Sequence, residues 1–325
     1  MSTSKIIATG KYCPKLVVSN NDLEELIDTS DEWIYSRTGI KERRISEEES
    51  TLDLSYKSSI DALTKYNIDV NTIELIIVAT VTPDYFIPST ASLLQNKLGI
   101  NSNDVICFDI NAACTGLIYA IQIANKYIAS GAIKRALVVG AENFSKVLNW
   151  KDRSTCVLFG DGAGAVILEN NNTGIISDYT NSMGDEDFNL CVPALPLNNP
   201  FSSSKDNYRD NYLTMNGSEI FKFATFAIKD SIENLLEKSN LNLDDINYIV
   251  PHQANKRIIK KVSKIMNIPI EKFYMNLENY GNTSAASIGI ALDELFNDNF
   301  LKKGDKLILV GFGGGLTWGS ILFEY

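Results

Sequence analysis

Two residues of this sequence could carry chemistry by their type and setting, Cys114 and His252. Cys114 stands in a turn of small residues, NAACTG at 111–116. A thiol placed there could attack a carbonyl carbon and hold the acyl group as a thioester. His252 is the only histidine of the 325 residues. Any mechanism that needs two histidines is excluded, and so is a His-rich metal site. The five cysteines, Cys13, Cys107, Cys114, Cys156 and Cys191, are scattered and form no C-x-x-C pair. That argues against a disulfide framework and a zinc site, and for a reducing cytoplasm.

The elements around Cys114 place it. Residues 105–110 form an apolar run suited to a buried parallel strand. A helix is expected over 117–130, apolar on nearly every face and stopped by Gly131. The thiol then lies at the positive end of a helix dipole, which is expected to lower its pKa and favour the thiolate. Cys114 is a nucleophile or a small buried hydrophobe. His252 follows a strand expected over 246–250, the end of a strand where open α/β sheets place their chemistry. It is catalytic or structural.

Other stretches add candidates. Trp33 lies four residues from Arg37, a spacing that suits stacking and phosphate binding, or a half-buried tryptophan in a surface loop. The helix expected over 256–265 carries Lys256, Arg257, Lys260, Lys261 and Lys264. Five cations on one helix of a chain with net charge −10 make a docking patch for an acidic partner or a solvated face. The overall negative charge argues against nucleic acid. No apolar run is long enough to cross a membrane, and the first residues lack the pattern of a signal peptide. FGDGAGAVILE at 159–169 is glycine-rich but leads into a strand, so it is not a dinucleotide site.

Further strands are expected over 5–10, 73–81, 135–140, 165–168, 273–277, 306–311 and 318–324. Further helices are expected from 20, and over 52–66, 90–98, 217–238 and 288–296. From 177 to 214 the sequence loses periodicity, as a lid, a tunnel wall or a plain surface excursion would.

The two halves repeat one another. IELIIVAT at 73–80 answers INYIVPHQ at 246–253, and IKRALVVGAE at 133–142 answers KKGDKLILVGFG at 302–313. FGDGAGAVILE answers GGGLTWGSILFE at 313–324. A duplicated α/β unit follows, with halves at 1–172 and 173–325 and two mixed sheets sandwiching the buried helices. Cys114 and Asn282 then occupy equivalent strand-to-helix turns, and both turns face one centre with His252.

The chain resembles the thiolase superfamily, and within it β-ketoacyl-[acyl-carrier-protein] synthase type III. The resemblance runs over nearly the whole chain, on DTSDEWIYSRTGI (28–40), DINAACTG (109–116), RSTCVLFGDGAGA (153–165), MNGSEIFKFA (215–224), VPHQAN (250–255), YGNTSAAS (280–287) and GFGGGLTWGS (311–320). It implies a thiolase-like five-layered αβαβα fold and a catalytic triad of Cys114, His252 and Asn282. It implies decarboxylative condensation of an acyl-CoA primer with malonyl-acyl carrier protein, without cofactor or metal, in a cytoplasmic homodimer. The alternative on the same scaffold is an acyltransferase or condensing enzyme of a specialised pathway. The oxyanion is assigned to the backbone N–H groups of Cys114 and Gly314. Thr29, Trp33, Arg37, Arg153, Met215, Gly217, Ala254, Asn255 and Phe312 are implied to bind coenzyme A and substrate. Ile87 would shape the acyl pocket of the partner subunit. Lys222, Lys256, Arg257 and Lys264 would meet acyl carrier protein.

Overall fold

The computed structural model describes residues 3–195, 199–201, 212–298 and 300–325. Unbroken aliphatic runs such as LIIVA ask for burial on both faces of a sheet, and every residue of the strand Leu75–Ala79 is buried. This strand sits inside a five-stranded sheet. The order is Thr3–Tyr12, Gly162–Asn171, Arg135–Glu142, Leu75–Ala79, Ile106–Ile110. The first two pairings are antiparallel and the last two parallel.

The second sheet repeats this order with Ile175–Ser182, Thr317–Glu324, Lys306–Gly313 and Tyr248–Pro251. Its pairings run antiparallel, antiparallel and parallel. Where a fifth strand would lie, only one parallel bridge forms, between Ile249 and Phe273. The strand expected over 273–277 is therefore absent. Phe273 closes the 3-10 turn Ile270–Lys272, and the chain turns into the short helix Leu277–Tyr280.

Pleating sorts the side chains into layers. Leu75 and Ile77 face inward with Leu307 and Leu309, against the helices Gly116–Ala129 and Ser287–Asn297. Ile76 and Val78 face outward, against the helices Thr51–Lys65 and Thr90–Lys97. On the far side Ile308 and Val310 pack against Gly217–Ser239 and Lys256–Met266. The result is helix, sheet, helix, sheet, helix, the five-layered α/β thiolase fold.

The stretch 177–214 is not one loop. Ile175–Ser182 is an edge strand in register with Thr317–Glu324. It reads as polar because it buries Ser177 and Asp178, the latter accepting from Gln122 and Lys126. Leu190–Cys191 pairs with Thr214–Met215. Residues 196–198 and 202–211, which belong to that stretch, lie outside the described residues.

The central layer tolerates no added bulk. A Cβ at Gly140 would overlap the carbonyl of Ala285, in the turn that leads into Ser287–Asn297. Gly140→Ala is expected to cost about 1–3 kcal/mol by overpacking. It should lower the thermal unfolding midpoint, and activity with it, since the displaced turn borders the site described next.

Candidate active site

Two turns meet at the centre of the molecule. After Ile106–Ile110 the chain makes one 3-10 turn, Ala113–Thr115, and enters the buried helix Gly116–Ala129. In the other half the turn Ser284–Ala286 leads into Ser287–Asn297. The two turns pack against each other. Each opens on a residue with positive φ, Ala113 at 46° and Ser284 at 49°, which is uncommon for residues other than glycine. This shared backbone fixes the register of the repeat. Ala113 matches Ser284, so Cys114 matches Ala285, and Asn282 matches Asn111. Cys114 and Asn282 thus share one kind of turn but not one position in it.

His252 sits one residue past the strand Tyr248–Pro251, and its amide donates to the Val310 carbonyl at 2.8 Å. Its side chain is 1% exposed. Its Nδ1 stands 2.7 Å from Ser287 Oγ. That hydroxyl accepts a hydrogen bond from the Gln253 amide at 3.3 Å and still has a proton that it can give to Nδ1. In the tautomer that accepts it, the ring proton is on Nε2, which can donate. Burial pushes His252 down to about 3, so the ring is neutral near neutral pH. Asn282 Oδ1 accepts from the Ser284 amide at 2.8 Å. Asn282 therefore presents its Nδ2 hydrogens as donors.

One segment ties the histidine to the cysteine. The Phe312 ring stands edge-on to His252 with centroids 5.1 Å apart. The next residue, Gly313, lies against Cys114, and a Cβ there would stand 2.7 Å from the Cys114 amide nitrogen. Glycine at 313 keeps that N–H accessible. Phe312 is buried at 3% exposure and packs edge-on against His252. Gly313 and Ser287 lie in the motifs GFGGGLTWGS and YGNTSAAS, but neither is assigned a role from the sequence; the GGG run around Gly313 signals close backbone approach.

Burial pushes Cys114 up to about 12, the Ser284 hydroxyl lowers it, and the charge of Glu142 raises it further. Cys114 is in a 3-10 turn ahead of Gly116–Ala129 and is 5% exposed, so desolvation acts against the helix dipole.

Cys114 opens on a cavity of about 770 Å³. Ser284 and Gly314 line it, with Leu190 to Ala194 as one wall, so this part of the 177–214 stretch does border the site. Tyr85 and Phe86 reach this cavity, whereas Ile87 lines a second, smaller pocket and is 86% exposed. Within one chain Ile87 thus does not touch the space beside Cys114.

The residues assigned to coenzyme A fall into groups. Thr29, Trp33, Arg37 and Arg153 come together: both guanidinium groups lie over the Trp33 ring, at 4.5 and 5.2 Å from its centroid. Arg153 also donates to the Asp28 carbonyl at 2.7 Å. Thr29 Oγ1 is buried with no hydrogen-bond partner among the described residues. Asn255 caps the helix Lys256–Met266, with Oδ1 accepting from the Arg257 amide, and its Nδ2 donates to the Arg37 carbonyl at 3.1 Å. It therefore joins two elements, a structural task that sequence reasoning missed. Ala254 packs against the second-sheet core. Met215 and Gly217 flank the start of Gly217–Ser239, away from this group in sequence.

On the helix Lys256–Met266, Ile258, Ile259 and Val262 face the core. Arg257, Lys260, Lys261 and Lys264 are exposed, and none forms an ion pair among the described residues. Lys256 is half-buried near Glu278 and Tyr35, and Lys222 pairs with Glu219 at 2.7 Å. Among the described residues no cluster of His, Cys, Asp and Glu could hold a metal ion, and no helix is long and apolar enough to cross a membrane.

Known proteins share this arrangement. A family model described as 3-oxoacyl-[acyl-carrier-protein (ACP)] synthase III matches residues 108–184, and its C-terminal counterpart matches 236–325. A beta-ketoacyl-[acyl-carrier-protein] synthase III of Clostridium novyi (strain NT) is 53% identical over 326 residues, covering 100% of both chains. The crystal structure of 3-oxoacyl-[acyl-carrier-protein] synthase III from Aquifex aeolicus VF5 superposes with a TM-score of 0.91 at 44% identity, covering 99% of this chain and 100% of that one. A synthase III structure from Thermus thermophilus gives 0.91 at 39%, covering 99% of each.

Proposed function

The chain belongs to the 3-oxoacyl-[acyl-carrier-protein] synthase III family, and we propose that Cys114, His252 and Asn282 divide the family's reaction between them. The enzyme is an acyltransferase that condenses an acyl-CoA primer with malonyl-acyl carrier protein and so initiates fatty-acid synthesis. Cys114 Sγ attacks the primer thioester, coenzyme A leaves, and the acyl group stays on the thiol. The Cys114 amide stabilises the tetrahedral oxyanion, with Gly314 as its partner donor. Malonyl-acyl carrier protein then enters. His252 Nε2–H and Asn282 Nδ2–H donate to its thioester carbonyl, and carbon dioxide leaves an enolate held by those two bonds. The enolate carbon attacks the acyl-cysteine, the carbon–sulfur bond breaks, and the Cys114 thiolate that leaves takes a proton from solvent.

The observation that carries this division is the Ser287 contact to His252 Nδ1. With Ser287 donating to Nδ1, the neutral histidine keeps its proton on Nε2 and serves as a donor. The Arg37 and Arg153 guanidinium groups over the Trp33 ring support a nucleotide end for coenzyme A there, with Thr29 next to Asp28, which Arg153 holds. Met215, Gly217, Ala254 and Asn255 are kept as substrate-side residues. Tyr85, Phe86 and Ile87 are 61, 73 and 86% exposed in succession. So much adjoining apolar surface supports a homodimer that covers it. Five free cysteines fit a reducing cytoplasm. The two sheets, one built within 3–171 and the other within 175–324, support halves at 1–172 and 173–325.

Acyl carrier protein docks on the exposed cations of Lys256–Met266, chiefly Arg257 and Lys264, with Lys222 and Lys256 at the margin because each already has a carboxylate nearby. The double variant Arg257→Glu, Lys264→Glu should raise KM for malonyl-acyl carrier protein about tenfold and weaken its salt dependence. Its acylation by acyl-CoA, followed by intact mass, should match the wild type. An unchanged KM would remove this face as the docking site. The division of labour is tested by carbon dioxide release from carboxyl-labelled malonyl-acyl carrier protein. Release should depend on His252 and Asn282 and not on Cys114.

A further inference from the structure

A buried carboxyl group stands behind the nucleophile. Glu142 ends the strand Arg135–Glu142 and is 0% exposed. Its carboxylate accepts from Thr82 Oγ1 at 2.6 Å, Thr80 Oγ1 at 3.2 Å and the Val81 amide at 3.2 Å. A fourth bond comes from the other half of the molecule, Ser284 Oγ at 3.1 Å. Ser284 also lines the cavity on which Cys114 opens, and the two turns that carry them pack against each other. Ser284 thus lies between the thiol's cavity and the carboxylate.

The repeat gives this position added meaning. IKRALVVGAE aligned on KKGDKLILVGFG sets Glu142 opposite Gly313. Each ends its strand and adjoins a central turn: Gly313 borders Cys114, and Glu142 borders Ser284. One half carries a glycine that makes room for the thiol. The other carries a carboxylate at the matching place.

We propose that Glu142 is the proton acceptor for Cys114, reached through Ser284 Oγ. It is a positioning residue, acting on the reacting sulfur through the serine. As Sγ bonds to the primer's carbonyl carbon, the thiol proton passes to Ser284 Oγ, whose own proton passes to Glu142. Collapse of the tetrahedral intermediate breaks the carbon–sulfur bond to coenzyme A. The departing sulfur takes the electron pair and recovers that proton, leaving acyl-cysteine and free coenzyme A. His252 is poorly suited to this work, since burial lowers it to about 3 and makes it a weak base. Burial lifts Glu142 to about 7, high for a carboxyl group and suited to accepting a proton at neutral pH. The Glu142 charge also opposes a standing thiolate, so the proton leaves only as the new bond forms.

The proposal rests on Cys114 being the nucleophile, and its test separates the two. Rapid-quench intact-mass analysis measures the rate of acyl-adduct formation from acetyl-CoA between pH 5.5 and 8.5. Groups that face Glu142 are Thr80, Thr82, Ser284 and Cys114; Tyr85, Asp109, Lys146, Asp185 and Cys191 also line the cavity. Wild-type acylation should rise with pH through about 7. In Glu142→Gln it should fall about a hundredfold and lose that rise, and Glu142→Asp should restore the rise. Ser284→Ala, which keeps the carboxylate but breaks the link, should slow acylation in the same way. Carbon dioxide release from malonyl-acyl carrier protein should stay near wild type in all three. Wild-type acylation rates in Glu142→Gln, faster acylation, or acylation and decarboxylation falling together would each overturn the proposal. Absence of any adduct in the wild type would instead overturn the nucleophile itself.

Discussion

Cys114→Ala should abolish the acyl-enzyme and with it the condensation, a fall of about a millionfold, the scale seen when a covalent nucleophile is removed. Nothing else near the site can replace it. Cys191 lines the same cavity but belongs to the short pairing Leu190–Cys191 with Thr214–Met215, not to the turn Ala113–Thr115 that leads into the buried helix. Cys13, Cys107 and Cys156 lie outside the cavity lining. Cys191→Ala should therefore acylate like the wild type. The substitution at 114 should be tolerated structurally, because the neighbouring half already carries alanine at the matching turn position, Ala285. Decarboxylation of malonyl-acyl carrier protein should persist in Cys114→Ala, since its donors are elsewhere. Adduct mass and carbon dioxide release, measured on one preparation, read both parts.

His252→Ala and Asn282→Ala should give the opposite pattern. Each removes one donor to the enolate oxygen, which costs about 10²–10³ in rate. Acylation of Cys114 should continue in both, so the enzyme accumulates as the acyl form. The double variant should fall by less than the product of the singles, because both bonds serve one oxygen. A pH profile adds a second check. With His252 held near 3 by burial, condensation should show no loss between pH 7 and 5.5 that tracks a histidine of ordinary pKa. A limb near 6.5 that vanishes in His252→Ala would mean that the ring works as a base.

Much of this was legible in the sequence wherever one residue pattern had one physical meaning. LIIVA at 75–79 and LILV at 307–310 are apolar without alternation, and both became buried strands. The cations of Lys256–Met266 alternate with isoleucine and valine at helical spacing, and the helix buries that apolar face. The repeat of the two halves predicted the matching order of the two sheets. Legibility failed at edges and in electrostatics. Ile175–Ser182 looks like a loop because its polar Ser177 and Asp178 are buried, with Asp178 held by Gln122 and Lys126 from a distant helix that the local stretch does not reveal. KFYMNL at 272–277 looks like a strand from its repeat partner, but only Phe273 keeps the pairing. The acidity of Cys114 depends on how deeply the turn is buried, a property of both halves together that no local stretch encodes. Glu142 left a trace, as a lone acid closing the apolar run 136–141, although its link to Ser284 crosses 142 residues of chain.

The most direct test is intact-protein mass after incubation with acetyl-, isobutyryl- and hexanoyl-CoA, in the wild type and in Cys114→Ser. The account predicts a single acyl adduct that appears only in the wild type and is cleared by malonyl-acyl carrier protein with release of carbon dioxide. The size of the adduct identifies the primer. An adduct that survives the substitution, or a wild type that no acyl-CoA labels, would contradict it.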